Sequence, residues 1–258
     1  MSSRESRPDT DDLTGSPAWE AMQWRASRRR PAPPMPFGLR KIECPVMAGS
    51  GPLRKVGVFA GIHGDEPAGT LAVQELAAWA RRKPAGLSGY ALNLFPVCNP
   101  TGQRAGTRHS RTGLDLNREF WSGSDQPEVR ALEAELRSGH YDVIIALHED
   151  DTSDGLYGFA GDAPFSRELL EPALTAASAA LPRNRATIID GFTADDGIIG
   201  GGYRGILSAP PEQRPRALEV VFETPALAPQ PRRVAAAILA VQAILDSYRV
   251  LLARPRNH

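Results

Sequence analysis

The stretch GIHGDEP, residues 61–67, is the feature from which the fold and the chemistry of this 258-residue chain are predicted. It follows an apolar run at residues 56–60 and precedes an amphipathic segment, which predicts a tight turn between a buried strand and a helix. His63 and Glu66 are three residues apart, so both side chains lie on one face if the turn enters a helix. A neutral imidazole and a carboxylate are two of the three protein ligands of a catalytic zinc ion. Such a pair is common by chance, so taken alone it is better explained by the solvated start of an ordinary helix, and the metal interpretation depends on the rest of the chain.

The overall composition argues against several classes of protein. Lys plus Arg number 30 and Asp plus Glu number 30, so no net charge attracts nucleic acid or an anionic membrane. We predict that no apolar run is long enough to span a bilayer, and the N-terminus shows no apolar signal core. Cys44 and Cys98 form no CxxC pair and are expected to be reduced. We therefore expect a cytoplasmic protein without nucleic-acid or membrane partners, and we leave its oligomeric state open.

Apolar runs and amphipathic segments divide the chain into an arm and a body. Residues 1–36 are rich in Arg and Pro and predict a disordered arm. Residues 37–258 predict one catalytic domain in which strands alternate with helices, which is typical of a three-layer α/β/α fold. Strands are predicted at 39–45, 55–62, 90–97, 141–147, 186–189 and 217–222, helices at 67–83, 126–139, 166–181 and 229–253, and a mobile glycine-rich segment at 191–211.

Four polar side chains follow the ends of predicted strands. They are His63, Asn99, His148 and Glu223. In open α/β sheets, ligands bind beyond the carboxyl ends of the strands. Strands have to end in polar loops in any case, but that requirement does not explain two histidines and a glutamate at these ends. We therefore predict a shared site at one edge of the sheet, with His148 as the third metal ligand.

Amide hydrolysis at such a site needs further groups. A zinc ion with three protein ligands has a fourth position for water, whose pKa it lowers to roughly 7. Glu223 is the candidate that takes the proton and passes it to a leaving amine. Arg108 is the candidate that stabilises negative charge on the carbonyl oxygen, with Arg104 and Arg111 as competitors. A strand-end ion pair explains Glu223 equally well.

Further candidates lie in the stretch GLDLNR, residues 113–118. Asn117 and Arg118 are candidates for binding a substrate carboxylate, since an arginine binds such a group through two parallel hydrogen bonds. A turn with a surface ion pair is the ordinary alternative. Asp115 could accept a hydrogen bond from the second nitrogen of a ligand histidine and so fix its orientation.

The ordered set of motifs resembles the carboxypeptidase A-like zinc metallopeptidases, and most closely the bacterial murein peptide amidase-like branch. The resemblance covers roughly residues 37–253. It is carried by HGDE at 63–66, NPTG at 99–102, GTR at 106–108, DLNR at 115–118, HED at 148–150 and FETP at 222–225.

The resemblance implies a central mixed, mostly parallel sheet of about eight strands with helices on both sides. It implies one zinc ion per chain, held by His63, Glu66 and His148. The remaining residues match family positions as follows: Glu223 as general base and acid, Arg108 as the carbonyl-polarising arginine, Asn117 and Arg118 as the carboxylate-binding pair, Asp115 as the aspartate behind the first histidine, and Tyr203 as a weak match to a tyrosine that covers the substrate.

We predict a zinc-dependent metallocarboxypeptidase that removes the C-terminal residue of a small peptide. The first alternative is an aspartoacylase or succinylglutamate desuccinylase-like deacylase, whose substrates are N-acyl amino acids. The second is a catalytically silent binding module, against which the intact ligand set argues. A further hypothesis is that the acidic residues Glu149, Asp150 and Asp151 select an amine-bearing substrate, although a solvated acidic loop would look the same.

Overall fold

The computed structural model describes residues 38–44, 46–47 and 51–254. The predicted arm at residues 1–36 lies outside these residues, so its disorder stays a prediction. Within the described part, the strands are β1 (Ile42–Glu43), β2 (Arg54–Ala60), β3 (Tyr90–Phe95), β4 (Val143–Asp150), β5 (Tyr157–Ala160), β6 (Ile188–Ile189), β7 (Phe192–Asp195), β8 (Ile198–Gly200) and β9 (Leu218–Pro225). The helices are α1 (Pro67–Arg82), α2 (Pro100–Ala105), α3 (Pro127–Gly139), α4 (Ser166–Ala177) and α5 (Gln230–Ala253), with 3₁₀ turns at Pro84–Leu87 and Leu116–Arg118.

These nine strands of the described chain form one mixed sheet in the order β1-β3-β2-β4-β9-β5-β8-β7-β6. The four strands β3, β2, β4 and β9 are parallel, as are β5 and β8, and the other neighbouring pairs are antiparallel. Because β2, β4 and β9 are parallel, their carboxyl ends lie at the same edge of the sheet. This edge carries His148 and Glu223, which are directly paired across β4 and β9.

Helices cover both faces of the sheet. Val56 and Val58 of β2 belong to a core that also contains buried residues of α1, α4 and α5. Phe59 points to the opposite face, where its ring stacks on Phe95 at 4.4 Å between centroids and meets the edge of Tyr141. The Tyr141 hydroxyl donates to Glu135 of α3, which places α3 on this second face. The predicted α/β fold with helices on both sides of a mixed sheet is confirmed.

The short elements differ from the predictions. Residues 191–211 were predicted to be a mobile glycine-rich segment without strands, yet they contain β7 and β8, which pair with each other through Ala194 and Asp195. The alternation of apolar and polar side chains in these strands spans only three or four residues within a glycine-rich segment, which is too short to predict a strand. Strand β5 and helix α2 were missed for the same reason, since each has six residues or fewer.

The longest helix also corrects a prediction. Helix α5 has 24 residues and is long and apolar enough to cross a bilayer by length and composition alone, so the prediction that no such run exists is wrong. Seven of its residues are buried, and it packs against α1 and α4. The core helices of soluble proteins meet the same criteria, so length and composition alone do not place α5 in a membrane.

Candidate active site

The turn between β2 and α1 brings two predicted ligands together. Gly61 adopts a left-handed φ of +63°, and its carbonyl accepts a hydrogen bond from Asn99 at 2.8 Å. Gly64 packs directly on the backbone of Gly102, where a Cβ atom would lie 2.0 Å from the Gly102 carbonyl carbon. Only glycine fits at that distance, so the motif at residues 61–67 depends on the segment that follows β3.

His63, Glu66 and His148 form one buried cluster. His63 Nδ1 lies 2.5 Å from Glu66 Oε1, and His148 Nδ1 lies 3.0 Å from Glu66 Oε2. One nitrogen or oxygen atom from each residue lies within 4.8 Å of the others. Two imidazoles and a carboxylate, all buried, are a set of ligands that suits a single metal ion such as zinc. The three predicted ligands therefore converge and fit one metal.

Electrostatics favour an ionised carboxylate in this cluster. Burial alone would raise the pKa of Glu66, but the charge and hydrogen bond of His148, together with those of His63, hold it below its ordinary value. Burial would likewise lower the pKa of His63, whereas hydrogen bonds to Asp115 and Glu66 raise it. The cluster is thus held by mutual attraction between imidazoles and carboxylates.

Asp115 lies directly behind the first histidine. Its Oδ1 is 3.1 Å from His63 Nε2, while its Oδ2 accepts hydrogen bonds from Nε and Nη2 of Arg108 at 3.2 and 3.0 Å. A ligand histidine oriented by a carboxylate in this way presents a fixed nitrogen to a metal. Arg108 is half-exposed, and its Nη1 is 3.6 Å from Glu66. Asp115 therefore lies behind His63, as predicted, and the Arg108 guanidinium lies beside the ligand cluster.

Glu223 lies next to His148 in the paired strands and lines the same cavity. No residue of the described chain hydrogen bonds to its carboxylate. Burial raises the pKa of Glu223 to about 8, and the negative charges of Glu66, Asp150 and Asp190 add to this effect against that of His148. A carboxyl group poised near neutral pH suits proton transfer.

The carboxylate-binding candidates occupy two different environments. Asn117 is buried, its Oδ1 accepts from Leu207 at 2.9 Å, and its Nδ2 lies 3.5 Å from His148 Nε2. Arg118 is exposed in the cavity, with its guanidinium 4.1 Å above the ring of Tyr203. Arg118 has no carboxylate partner among the described residues. Its Nη1 donates to the backbone carbonyl of Asn117 at 2.8 Å, so the other guanidinium nitrogens are left for a ligand, whereas the Asn117 side chain is engaged with the protein.

Tyr203 follows the β7–β8 hairpin, in the segment that was predicted to be mobile. Its ring meets the edge of Phe192, and its hydroxyl donates to the backbone carbonyl of Asp190 at 3.3 Å. Gly205, with φ at +72°, approaches Arg118 so closely that a Cβ atom would lie 2.2 Å from the Arg118 carbonyl oxygen. Tyr203 therefore reaches the cavity together with Arg118.

The three acidic residues after His148 are not equivalent. Asp150 accepts hydrogen bonds from Thr152 and from the Tyr157 hydroxyl, the latter at 2.9 Å, and Asp151 is exposed. Glu149 is buried against α1 and α5, so it does not belong to a solvated acidic patch.

Sequence reasoning missed Asp190, which lines the cavity from the β6–β7 turn. An Asp-Gly pair between two short strands was the only available signal for this residue. The cavity measures about 530 Å³ and is lined by two arginines, by Tyr157 and Phe159, and by six acidic residues besides Glu149, whose carboxylate contacts α1 and α5 instead.

Comparisons with known proteins agree with this geometry. The sequence model of one family, described as the succinylglutamate desuccinylase/aspartoacylase catalytic domain, matches residues 52–184. No curated protein matches the chain. A crystal structure of a candidate metallopeptidase from Shewanella baltica has a TM-score of 0.67 at 25% identity and covers 82% of this chain and 83% of that chain. A candidate metallopeptidase from Shewanella denitrificans has a TM-score of 0.65 at 25% identity, with 81% and 78% covered.

A metallo-carboxypeptidase from Burkholderia cenocepacia shares the fold, with a TM-score of 0.60 at 18% identity over 92% of this chain and 70% of that chain. The predicted resemblance is therefore confirmed for the zinc carboxypeptidase-like superfamily, whereas the murein peptide amidase-like branch stays a prediction. The matched region, residues 52–184, is just over half of the chain and contains His63, Glu66 and His148. The chain belongs to the succinylglutamate desuccinylase/aspartoacylase catalytic domain family, within a superfamily of metal-dependent hydrolases.

Proposed function

We propose that the protein is a zinc-dependent metallocarboxypeptidase that hydrolyses the C-terminal amide bond of a small peptide. The observation that carries this proposal is the charge pattern of the cavity. Arg108 is paired with Asp115, so Arg118 is the cavity guanidinium that is left for a substrate. One free guanidinium among several carboxylates suits a substrate with a single carboxylate, such as the end of a peptide.

The positions of the side chains support a division of roles. Arg118 binds the terminal carboxylate, and Tyr203 supports the Arg118 guanidinium and covers the bound residue. Asn117 holds the 3₁₀ turn that carries Arg118 against the loop at Leu207. With the carboxylate fixed there, the adjacent amide carbonyl reaches the side of the cavity formed by Arg108 and the ligand cluster.

Proton transfer falls to Glu223. A zinc ion held by His63, Glu66 and His148 would supply a Lewis acid and lower the pKa of a water molecule. The Glu223 carboxylate accepts a proton from the attacking water and donates it to the leaving amine. Arg108 stabilises the negative charge that develops on the carbonyl oxygen.

The second candidate is an N-acyl amino acid deacylase, which the family match itself favours. Succinylglutamate, the compound in the family's name, carries several carboxylates. Asp65, Asp150, Asp151 and Asp190 line the same cavity as Arg118 and would repel the additional charges. This repulsion is the reason for placing the peptidase reaction first.

A substrate panel tests the proposal. Zinc-loaded protein is assayed on dipeptides, on the same dipeptides with amidated C-termini, and on N-acetyl and N-succinyl amino acids. We expect the free dipeptides to be cleaved at least tenfold more efficiently than the amidated ones, and this preference should disappear in Arg118→Met. Arg111→Met, which removes an exposed arginine of the same loop, is the matched control. Faster turnover of N-acyl amino acids than of any dipeptide would favour the deacylase.

A further inference from the structure

Glu149 follows the ligand His148 on β4 and points to the opposite face of the sheet, as strand geometry requires. Its side chain is 1% exposed. The Oε1 atom accepts a hydrogen bond from the backbone of Ala68 at 2.6 Å, and the Oε2 atom forms an ion pair with Nη1 of Arg233. One buried carboxylate therefore links β4, the start of α1 and the start of α5.

The contact with Ala68 compensates for a missing helix cap. Glu66 occupies the N-cap position of α1, but it makes no side-chain cap because its carboxylate is engaged with His63 and His148. The first backbone N–H groups of a helix need an acceptor from elsewhere, particularly when they are buried. Glu149 supplies that acceptor, so the strand that carries His148 is joined directly to the helix that begins at Glu66.

Arg233 neutralises the buried charge. It lies in the first turn of α5, and its side chain is 12% exposed. Its Nη1 meets Glu149, whereas its buried Nε has no hydrogen-bond partner among the described residues. A buried carboxylate without a cation would be strongly unfavourable at this position. Because one nitrogen makes the contact, an ammonium group can replace the guanidinium.

We propose that Glu149 and Arg233 are positioning residues that set the separation of Glu66 and His148, and thereby the affinity for the metal. The proposal rests on the metal site of the proposed function and on no assumption about the substrate. Neither residue belongs to the ligand cluster or the proton-transfer pathway described above. The pair holds the two ligands at their binding distance before the metal arrives, so that metal binding does not have to order them.

Metal binding by the purified, full-length protein tests this proposal. Zinc affinity is measured by competition with a chromophoric chelator for the wild type, Arg233→Met, Arg233→Lys and the matched control Arg232→Met, which removes the exposed arginine next in sequence. We expect Arg233→Met to weaken zinc binding 10- to 100-fold, as is typical for residues that orient ligands. Arg233→Lys should recover most of the loss, and Arg232→Met should match the wild type.

The absorption spectrum of the cobalt-substituted protein separates positioning from general stability. At saturating cobalt, Arg233→Met should show altered ligand-field bands, whereas a purely structural residue would lower the melting temperature without changing them. If Arg233→Met does not fold, the double variant Glu149→Gln/Arg233→Met removes both charges and should fold with weakened zinc binding. Wild-type zinc affinity in the folded variants, with unchanged bands, would overturn this proposal. Failure of the wild type to bind zinc would overturn the proposed function as well.

Discussion

Replacing Glu223 with glutamine should remove most of the turnover while the metal site stays intact. The substitution keeps the size of the side chain and removes only its ability to ionise. Glu223 is adjacent to His148 in the paired strands but does not belong to the ligand cluster. General acid–base catalysis contributes about 10²- to 10⁴-fold, so kcat/KM should fall by that factor, or roughly 3–5 kcal/mol of transition-state stabilisation.

The same variant should stabilise the metal-free protein at neutral and alkaline pH. Burial raises the pKa of Glu223 from 4.5 to about 8, so between these values the unfolded chain ionises this carboxyl while the folded chain keeps it protonated. The contribution of Glu223 to the free energy of unfolding is therefore most favourable below pH 4.5. It falls by on the order of 1 kcal/mol per pH unit as the pH rises towards 8. Glutamine does not ionise, so the advantage of Glu223→Gln should grow across this range.

Turnover, zinc content and melting temperature from pH 5 to 8.5 check both expectations. Glu219→Gln is the matched control, because Glu219 lies on the same strand, burial also raises its pKa, and its contact is the backbone N–H of Ala209. The control should gain stability and keep its turnover. Normal activity in Glu223→Gln would remove Glu223 from the mechanism, and loss of zinc would show that it acts on the metal instead.

Three further substitutions test other parts of the site. His63→Ala should abolish the increase in melting temperature produced by zinc, which at 100 times the dissociation constant corresponds to about 2.7 kcal/mol of stabilisation; scanning calorimetry with and without zinc measures it. Gly64→Ala should destabilise the fold by about 1–3 kcal/mol and weaken zinc binding, because its methyl group overlaps the Gly102 backbone; urea unfolding and zinc titration measure these effects. Asp190→Asn should reduce any preference for basic over neutral substrates about two- to fivefold, as expected for an exposed charge, and competition assays measure the ratio.

The parallel centre of the sheet could be predicted because its strands are long and buried on both faces. The apolar runs predicted strands β2, β3, β4 and β9 to within a few residues, and these four carry or precede every predicted metal and proton-transfer residue. The convergence of His63, His148 and Glu223 followed from the rule that parallel strands end at one edge. The spatial order of the strands in the sheet could not be deduced from the sequence pattern, so which strands lie side by side was not predicted.

The other side of the cavity could not be predicted because local patterns are too short there. Strands β5 and β8 have four and three residues, and they place Phe159 and Tyr203 through pairing with distant segments. The different environments of Glu149 and Asp150 could not be predicted either, because the predicted strand ended at residue 147 and β4 extends to Asp150. Once β4 includes residues 148–150, alternation of its side chains puts Glu149 in the interior and Asp150 at the cavity.

The charge balance at this edge of the sheet links the metal to the proton-transfer residue. Burial, together with the negative charges of Glu66, Asp150 and Asp190, raises the pKa of Glu223 against the effect of His148, so this carboxyl stays protonated near neutral pH in the metal-free protein. A protonated carboxyl group cannot accept a proton from water. A divalent cation bound by the ligand cluster reverses the local electrostatics and lowers the pKa of a neighbouring carboxyl. In the proposed function Glu223 would therefore act as a base only with a cation in the ligand cluster, and in the metal-free protein its protonated carboxyl leaves no buried negative charge at this position.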